Sequence, residues 1–204
     1  MATPGTPPRR RRVRGRAAGP DRGAYPGSFN PLTRAHLAVA AAARDRHGLG
    51  EVHLVVSRVA LGKERPDGPV LQHRLEVLER AVSTRPWLRV VVTDAQLIAD
   101  IADGYGVVIM GADKWAQVND PAFYPSPAAR DEAVRRLPTP AIAPRPPHVA
   151  PAEHVLDLPA DLAHASSTDA RRGRVDLMAP EAAAFDRRTG AWTDPARYRR
   201  WLRG

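Results

Sequence analysis

The chain has 204 residues, 43% of them hydrophobic, and a formal net charge of +9. That length suits one domain with a real core. The absence of cysteine excludes disulfides, thiolate nucleophiles and Cys-based zinc sites, and no run of about 18 apolar residues is present to suggest a membrane helix.

Residues 1–21 are rich in Pro, Gly and Arg and nearly devoid of apolar side chains, a composition that predicts disorder. Seven arginines from Arg9 to Arg22, against the one carboxylate of Asp21, carry most of the net charge. Such a tail can pair with nucleic-acid phosphates or an anionic surface. The plainer reading, and the one favoured here, is a solvated tail. No apolar core follows the arginines, so no secretory signal is read and a cytoplasmic location is expected. Residues 22–204 read as one domain.

Gly23-Ala24-Tyr25 is a short strand without the β-branched run usual for a buried parallel strand. Pro26-Gly27-Ser28-Phe29-Asn30-Pro31 reads as a tight turn. Gly27 suits either a close backbone approach or a positive φ, and Pro31 suits the first turn of a helix. Strong helix formers with apolar residues at helical spacing predict a helix over 32–46, stopped near Gly48. A helix N-terminus at the carboxyl end of a strand offers N–H groups and a dipole to an anion. Thr33 and His36, three residues apart, can both face that mouth. The same pattern also fits an ordinary strand-turn-helix connection with a buried histidine.

Residues 52–56 form a convincing strand, within which His53 reads as structural. The loop 57–69 then leaves a strand's carboxyl end, where ligands bind in open α/β sheets. It carries Lys63, one of only two lysines. An amphipathic helix is predicted over 70–83 from Leu71, Leu75, Leu78 and Val82. Arg74 on it reads as a surface arginine, with reach toward the loop as the alternative. Strand 88–93, a helix over 95–103 and the wholly apolar strand 107–110 follow. Directly after comes Gly111-Ala112-Asp113-Lys114-Trp115. Asp113 can accept from ribose hydroxyls or cap the next helix. Trp115 can stack on a ring or pack beneath the sheet.

A helix over 128–137, a short strand over 139–143 and an exposed proline-rich loop over 144–151 come next. A last short strand is expected over 155–158. Ser166-Ser167-Thr168 can cap a helix and present hydroxyls and N–H groups to a phosphate. Arg171 lies one turn on and can clamp a triphosphate by paired hydrogen bonds; a capped helix with a surface arginine is the plainer reading. Helices starting at Pro180 and over 194–202 close the chain. The alternation predicts an α/β fold, a Rossmann-like doubly wound parallel sheet of about five strands with a disordered basic N-terminal tail. The loops at Gly27, Lys63, Gly111 and Ser166 then share the carboxyl edge.

Three of these segments resemble one family. Gly27-Ser28-Phe29-Asn30-Pro31-Leu32-Thr33-Arg34-Ala35-His36 resembles the first signature of nucleotidylyltransferases with a T/H-x-G-H motif, Ala35 standing at the family's glycine. Ile109-Met110-Gly111-Ala112-Asp113 resembles the second. Ala165-Ser166-Ser167-Thr168-Asp169-Ala170-Arg171 resembles I-S-S-T-x-x-R, with Ala165 in place of isoleucine. The resemblance spans roughly residues 23–185 and is closest to nicotinamide- or nicotinate-mononucleotide adenylyltransferases.

The resemblance implies transfer of AMP from ATP to a pyridine mononucleotide with release of pyrophosphate. It implies catalytic roles for His36, Thr33, Lys63 and Arg171. It places ATP on Gly27, Ser28, Phe29, His36, Gly111, Asp113, Ser166, Ser167, Thr168 and Arg171, and the acceptor on Lys63, Trp115 and Tyr124. Mg²⁺ would come with the ATP phosphates, without a protein cage. ATP and a mononucleotide-like phosphate acceptor are the implied partners; no membrane is implied, and a homo-oligomer stays open. Pantetheine-phosphate adenylyltransferases share Gly-Ser-Phe-x-Pro-x-Thr-x-x-His, and cytidylyltransferases share the histidine motif. A nucleotide-binding protein that has lost catalysis and acts through its arginine tail is the alternative of another kind.

Overall fold

The computed structural model describes residues 19–58, 69–163 and 165–204. The arginine tail through residue 18 and the loop carrying Lys63 lie outside the described residues. Gly19, Pro20 and Asp21, read from composition as the end of the tail, form a turn beneath the sheet. There the Arg22 N–H donates to Gly19 O and the Gly50 N–H to Asp21 O.

Five strands form one parallel sheet in the order β3-β2-β1-β4-β5. They are β1 (Arg22–Pro26), β2 (Glu51–Ser57), β3 (Leu88–Thr93), β4 (Val107–Gly111) and β5 (Thr139–Ala143). The chain builds outward from β1 to β3, then returns to the other side of β1. This reversal opens a crevice at the carboxyl ends of β1 and β4, the position where such sheets bind ligands.

Alternate strand residues serve opposite faces, as the pleat requires. Tyr25, Leu54, Val56, Val107 and Ile109 pack in one core with α1 (Arg34–His47), α2 (Leu71–Ser83) and α8 (Pro180–Thr189). Ala24, Val55, Val108 and Met110 face a second core. That core is covered by α3 (Ile98–Ile101), α4 (Ala112–Asn119) and α5 (Pro127–Arg135). Each fully buried Leu, Ile or Val contributes about 1.5–3 kcal/mol. Truncating the sealed Ile109 to Ala would cost about 2–5 kcal/mol.

The central strand β1 is longer than its β-propensity suggests, and packing explains its composition. A Cβ on Gly23 would lie 2.9 Å from Leu49 Cδ1 and 3.1 Å from Ile109 Cδ1. A larger residue there would have to displace both side-chain tips. The helix expected over 95–103 shortens to α3. The strand expected over 155–158 is a single parallel bridge, Val155 to Ile142, with the Leu156 N–H donating to Ile142 O at 2.8 Å. A one-turn 3₁₀ helix (Ala152–His154) before it and Pro159 after it leave no length for a ladder. His53 is buried as expected, its Nδ1 2.9 Å from the Tyr105 hydroxyl.

After β5 come the short α6 (Ala160–Ala163) and α7 (Ser167–Arg171), then α8 and α9 (Pro195–Trp201). Gly190, in the left-handed region at φ 73°, ends α8. The buried Asp186 carboxylate accepts from the N–H groups of Trp192 (2.7 Å) and Thr193 (3.2 Å) and from the Thr193 hydroxyl (2.6 Å). This pins the turn that sends the Trp192 indole back toward the first loop. Among the described residues no helix is long and apolar enough to cross a membrane.

Candidate functional site

The site begins where β1 stops. The Gly27 N–H still pairs with Val55 O at 3.0 Å, so the chain leaves the sheet only at Ser28. Gly27 is needed for close approach and not for a positive φ: a Cβ there would sit 2.9 Å from the Phe29 ring. The left-handed residue is Phe29 itself, at φ 44°. That conformation costs about 1–3 kcal/mol in a non-glycine residue. The buried ring offsets it, packing edge-on against Tyr25 (5.4 Å) and His36 (5.2 Å). Phe29 therefore floors the turn, and its backbone, with exposed Ser28, forms the rim.

Thr33 is the N-cap of α1, and His36 closes a capping box with it. The His36 N–H donates to Thr33 Oγ1 at 3.3 Å, and the Thr33 N–H donates to His36 Nδ1 at 3.0 Å. Nδ1 also lies 2.8 Å from Thr33 Oγ1. Because Nδ1 accepts from a backbone N–H, it carries no proton. Burial, and secondarily the Arg145 guanidinium, push the His36 pKa down to about 3. The ring is thus neutral at physiological pH, with its proton on Nε2. Among the described residues Nε2 has no hydrogen-bond partner, and it is not one of the sealed unpaired atoms. Thr33 has no accessible surface, so its contacts at the mouth run through His36. Burial also raises the Tyr25 phenol pKa, which keeps it protonated.

The third signature docks on the first. Ser166 caps α7, accepting the Asp169 N–H at 3.1 Å while donating its hydroxyl to Asp169 Oδ2 at 2.5 Å. Ser167 Oγ donates to Pro31 O at 2.9 Å. Arg171 donates to Asn30 O through Nη1 and to Thr168 Oγ1 at 3.0 Å through Nη2. Segments more than 130 residues apart in the chain thereby become one rim. The serine hydroxyls and Arg171 first of all build that rim.

Gly111 ends β4 and is the N-cap of α4, with Asp113 in the first turn. A Cβ on Gly111 would lie 2.4 Å from Asp113 Oδ1 and 3.3 Å from Arg145 Cγ. Trp115 packs one turn further on against the second core, 6.5 Å from the His154 ring, and keeps a partly exposed face. The Tyr124 hydroxyl donates to Val118 O at 3.0 Å, about two turns down α4 from Gly111. The structure brings His36, Thr33, Gly27, Ser166, Ser167 and Arg171 together, with Gly111 and Asp113 across the crevice. Lys63 lies outside the described residues.

Three residues were missed or misread. Arg74 is buried, not a surface residue; its Nη1 reaches Ser28 O at 3.4 Å. Trp192 Nε1 donates to Asn30 Oδ1 at 2.7 Å, a tie that local sequence gives no sign of. Arg145 lies in the stretch read as an exposed loop, yet its Nη1 donates to Ala165 O at 2.9 Å. Its place directly after β5, at a strand's carboxyl end, was the available signal.

A family model described as cytidylyltransferase-like matches residues 24–173, from β1 through the end of α7. The chain belongs to that family. Its relatives include two proteins named as probable nicotinate-nucleotide adenylyltransferases. The one from Salinibacter ruber is 41% identical over 68 residues, 33% of this chain and 35% of the relative. The one from Gloeobacter violaceus is 34% identical over 74 residues, 36% of each. The alignments thus span about a third of the length of these relatives. Within the cytidylyltransferase-like fold, the matched span holds every described residue of the crevice named above except Trp192.

Proposed function

We propose that this chain is an adenylyltransferase that joins the AMP moiety of ATP to nicotinate mononucleotide, or its amide, and releases pyrophosphate. The carrying observation is the neutral His36, locked by Thr33 at a helix start beside the β1–β4 crevice. The names of the two relatives favour the nicotinate form of the acceptor.

In the reaction an oxygen of the acceptor phosphate attacks the α-phosphorus of ATP in line. The new P–O bond forms as the bond from the α-phosphorus to the bridging oxygen breaks. Pyrophosphate leaves with the electron pair. No protein nucleophile is required, so the protein's work is positioning and stabilisation of charge. His36 Nε2–H donates a hydrogen bond to a phosphate oxygen as charge builds. Being neutral, it gives that bond without surrendering a proton. The Ser28-Phe29 backbone and the rim built by Ser166, Ser167, Thr168 and Arg171 hold the triphosphate, and Gly111 lets the chain pass close while Asp113 faces the ribose. Lys63, Trp115 and Tyr124 are assigned to the acceptor side.

A divalent cation such as Mg²⁺ fits as a passenger of the phosphates. Among the described residues no cluster of three or more His, Asp or Glu side chains gathers to hold one. Asp113 is the carboxylate at the mouth available to it. When bound, such an ion neutralises phosphate charge.

The test is pyrophosphate release from ATP and Mg²⁺ with nicotinate mononucleotide, nicotinamide mononucleotide and 4′-phosphopantetheine in parallel. Turnover is expected with a pyridine nucleotide, best with the nicotinate form. Replacing His36 with Ala should lower kcat on the order of 10²-fold or more. Turnover only with phosphopantetheine, or parent-like turnover by His36→Ala, would overturn the corresponding part of the reading.

A further inference from the structure

Two helices that start at the carboxyl edge of the sheet carry a histidine at the same position. In α1 the N-cap is Thr33 and His36 stands three residues on, and the two close a capping box within one helix. In α2 the N-cap is Val70 and His73 stands three residues on. Val70 has no side-chain oxygen, and α2 makes no side-chain cap bond of its own. The missing group comes from α9. The Tyr198 hydroxyl accepts the Val70 N–H at 3.3 Å and lies 2.6 Å from His73 Nδ1. It bridges the two groups whose counterparts meet directly in α1, where the Thr33 N–H donates to His36 Nδ1. A first turn whose leading N–H groups lack partners is the part of a helix that frays.

The bridge is held firmly. Tyr198 is buried, and its ring stacks on Trp201 with centroids 6.0 Å apart. Phe185 joins the same cluster, 5.7 Å from His73 and 5.8 Å from both Trp192 and Trp201. Asp194 caps α9, and Arg197 Nη2 donates to Arg187 O at 2.6 Å and Arg188 O at 3.1 Å near the end of α8. One aromatic cluster therefore sends two side chains toward the turn after β1. Trp192 holds Asn30 directly. Tyr198 holds the first turn of α2, from which the buried Arg74, next after His73, reaches Ser28 O at 3.4 Å. Ser28 and Asn30 flank Phe29, the left-handed residue of the turn. Trp192 and Tyr198 both lie beyond the span that the family model matches.

We infer that Tyr198 is a positioning residue for the turn at Ser28 and Phe29: from the C-terminal helix it supplies the cap that α2 lacks, and α2 carries Arg74 against Ser28. The tyrosine touches no substrate. It fixes the helix that braces the loop that does. The inference rests on the reading that a nucleotide phosphate lies against the Ser28-Phe29 backbone, and it gives the C-terminal helix a part in that site.

The test uses the full chain and two variants. Tyr198→Phe keeps the stacked ring and removes the hydroxyl. Adding Val70→Thr to it gives α2 a capping side chain beside His73, the pairing that α1 already has. ATP affinity is measured by calorimetry well below Tm. Tyr198→Phe should weaken ATP about 3- to 10-fold, and the double variant should recover most of that loss. In turnover the loss should fall on KM for ATP more than on kcat. A tyrosine that only packs would lower Tm and leave ATP affinity unchanged. In the parent, saturating ATP should slow hydrogen exchange in the first turn of α2 and across α9, because coupling between two sites is reciprocal. That readout needs no variant to fold.

Parent-like ATP affinity in Tyr198→Phe would overturn the inference. So would a loss that Val70→Thr does not restore, or ATP that protects Ser28 and Phe29 while α2 and α9 exchange as before. If the ATP effects appear but no acceptor turns over, the proposed reaction fails and the Tyr198 assignment stands. If a pyridine nucleotide turns over while Tyr198→Phe binds ATP like the parent, the reaction stands and the assignment fails. A parent that binds no ATP overturns both.

Discussion

A single methyl group at Gly111 should separate the fold from the site. Gly111 sits at φ −80° and ψ 157°, a backbone any L-residue adopts, so Gly111→Ala meets no backbone strain. Its Cβ would instead lie 2.4 Å from Asp113 Oδ1, where ordinary contact begins near 3.4 Å. The carboxylate must therefore retreat by about 1 Å, and Arg145 Cγ, at 3.3 Å, by a few tenths. Asp113 is exposed and can move. An off-rotamer shift costs about 0.5–1.5 kcal/mol, and the loss of glycine's freedom in the unfolded chain offsets about 0.4–1 kcal/mol of it. Stability should stay within about 1 kcal/mol, a Tm change under about 4 °C for a domain this size. A displacement of that size beside reacting groups can cost about 10²-fold in rate, or roughly 2.7 kcal/mol.

The assay pairs thermal unfolding with ATP affinity and with kcat/KM from pyrophosphate release. The expected outcome is an intact Tm with a lower kcat/KM. An unchanged Tm with unchanged ATP affinity and turnover would refute the idea that Asp113 serves the nucleotide from this strand end. A Tm loss of about 10 °C would show the strand end to be packing, not site.

Thr33→Val keeps the volume but removes the cap; it should cost about 1 kcal/mol in urea unfolding and lower kcat about 10-fold, with Thr33→Ser restoring both. For His36 the folded pKa of about 3 lies below the usual 6.5, so the unfolded chain takes up a proton between those values that the folded one refuses. Its contribution to stability is complete above pH 6.5 and declines as pH falls toward 3, which paired urea titrations of the parent and His36→Gln at pH 7 and pH 5 would show as a shrinking difference. Nitrogen NMR should find the proton on His36 Nε2 at pH 7, and a proton on Nδ1 would contradict the capping box. Trp192→Phe keeps most of the ring and loses the 2.7 Å bond to Asn30; it should cost about 1–2 kcal/mol in chemical unfolding and raise the KM for ATP more than it lowers kcat.

What the sequence made legible follows the range of the forces involved. The turn at Gly27, the Thr33 cap and the Ser166 cap are each decided within a few residues, by capping and by glycine's missing Cβ, so they could be placed without a structure. The parallel strands β2, β3 and β4 announce themselves through apolar, β-branched runs. β1 does not, because its composition answers to distant Leu49 and Ile109, not to strand propensity. The same reasoning explains the missed and misread side chains. Nothing within a turn of Arg74, Arg145 or Trp192 says that their partners are Ser28, Ala165 and Asn30. Those partners share a physical trait: two are backbone carbonyls and the third is an amide side chain. A side chain that ties one loop to another loop's carbonyl leaves no recognisable residue type at the receiving end. A motif can therefore show which loops meet a ligand, while the residues that hold the loops in register are found only once the sheet has set which strand ends are neighbours. In this fold that division runs through the crevice itself. His36 belongs to the legible part, and Arg145, which lowers its proton affinity, to the part only the fold discloses.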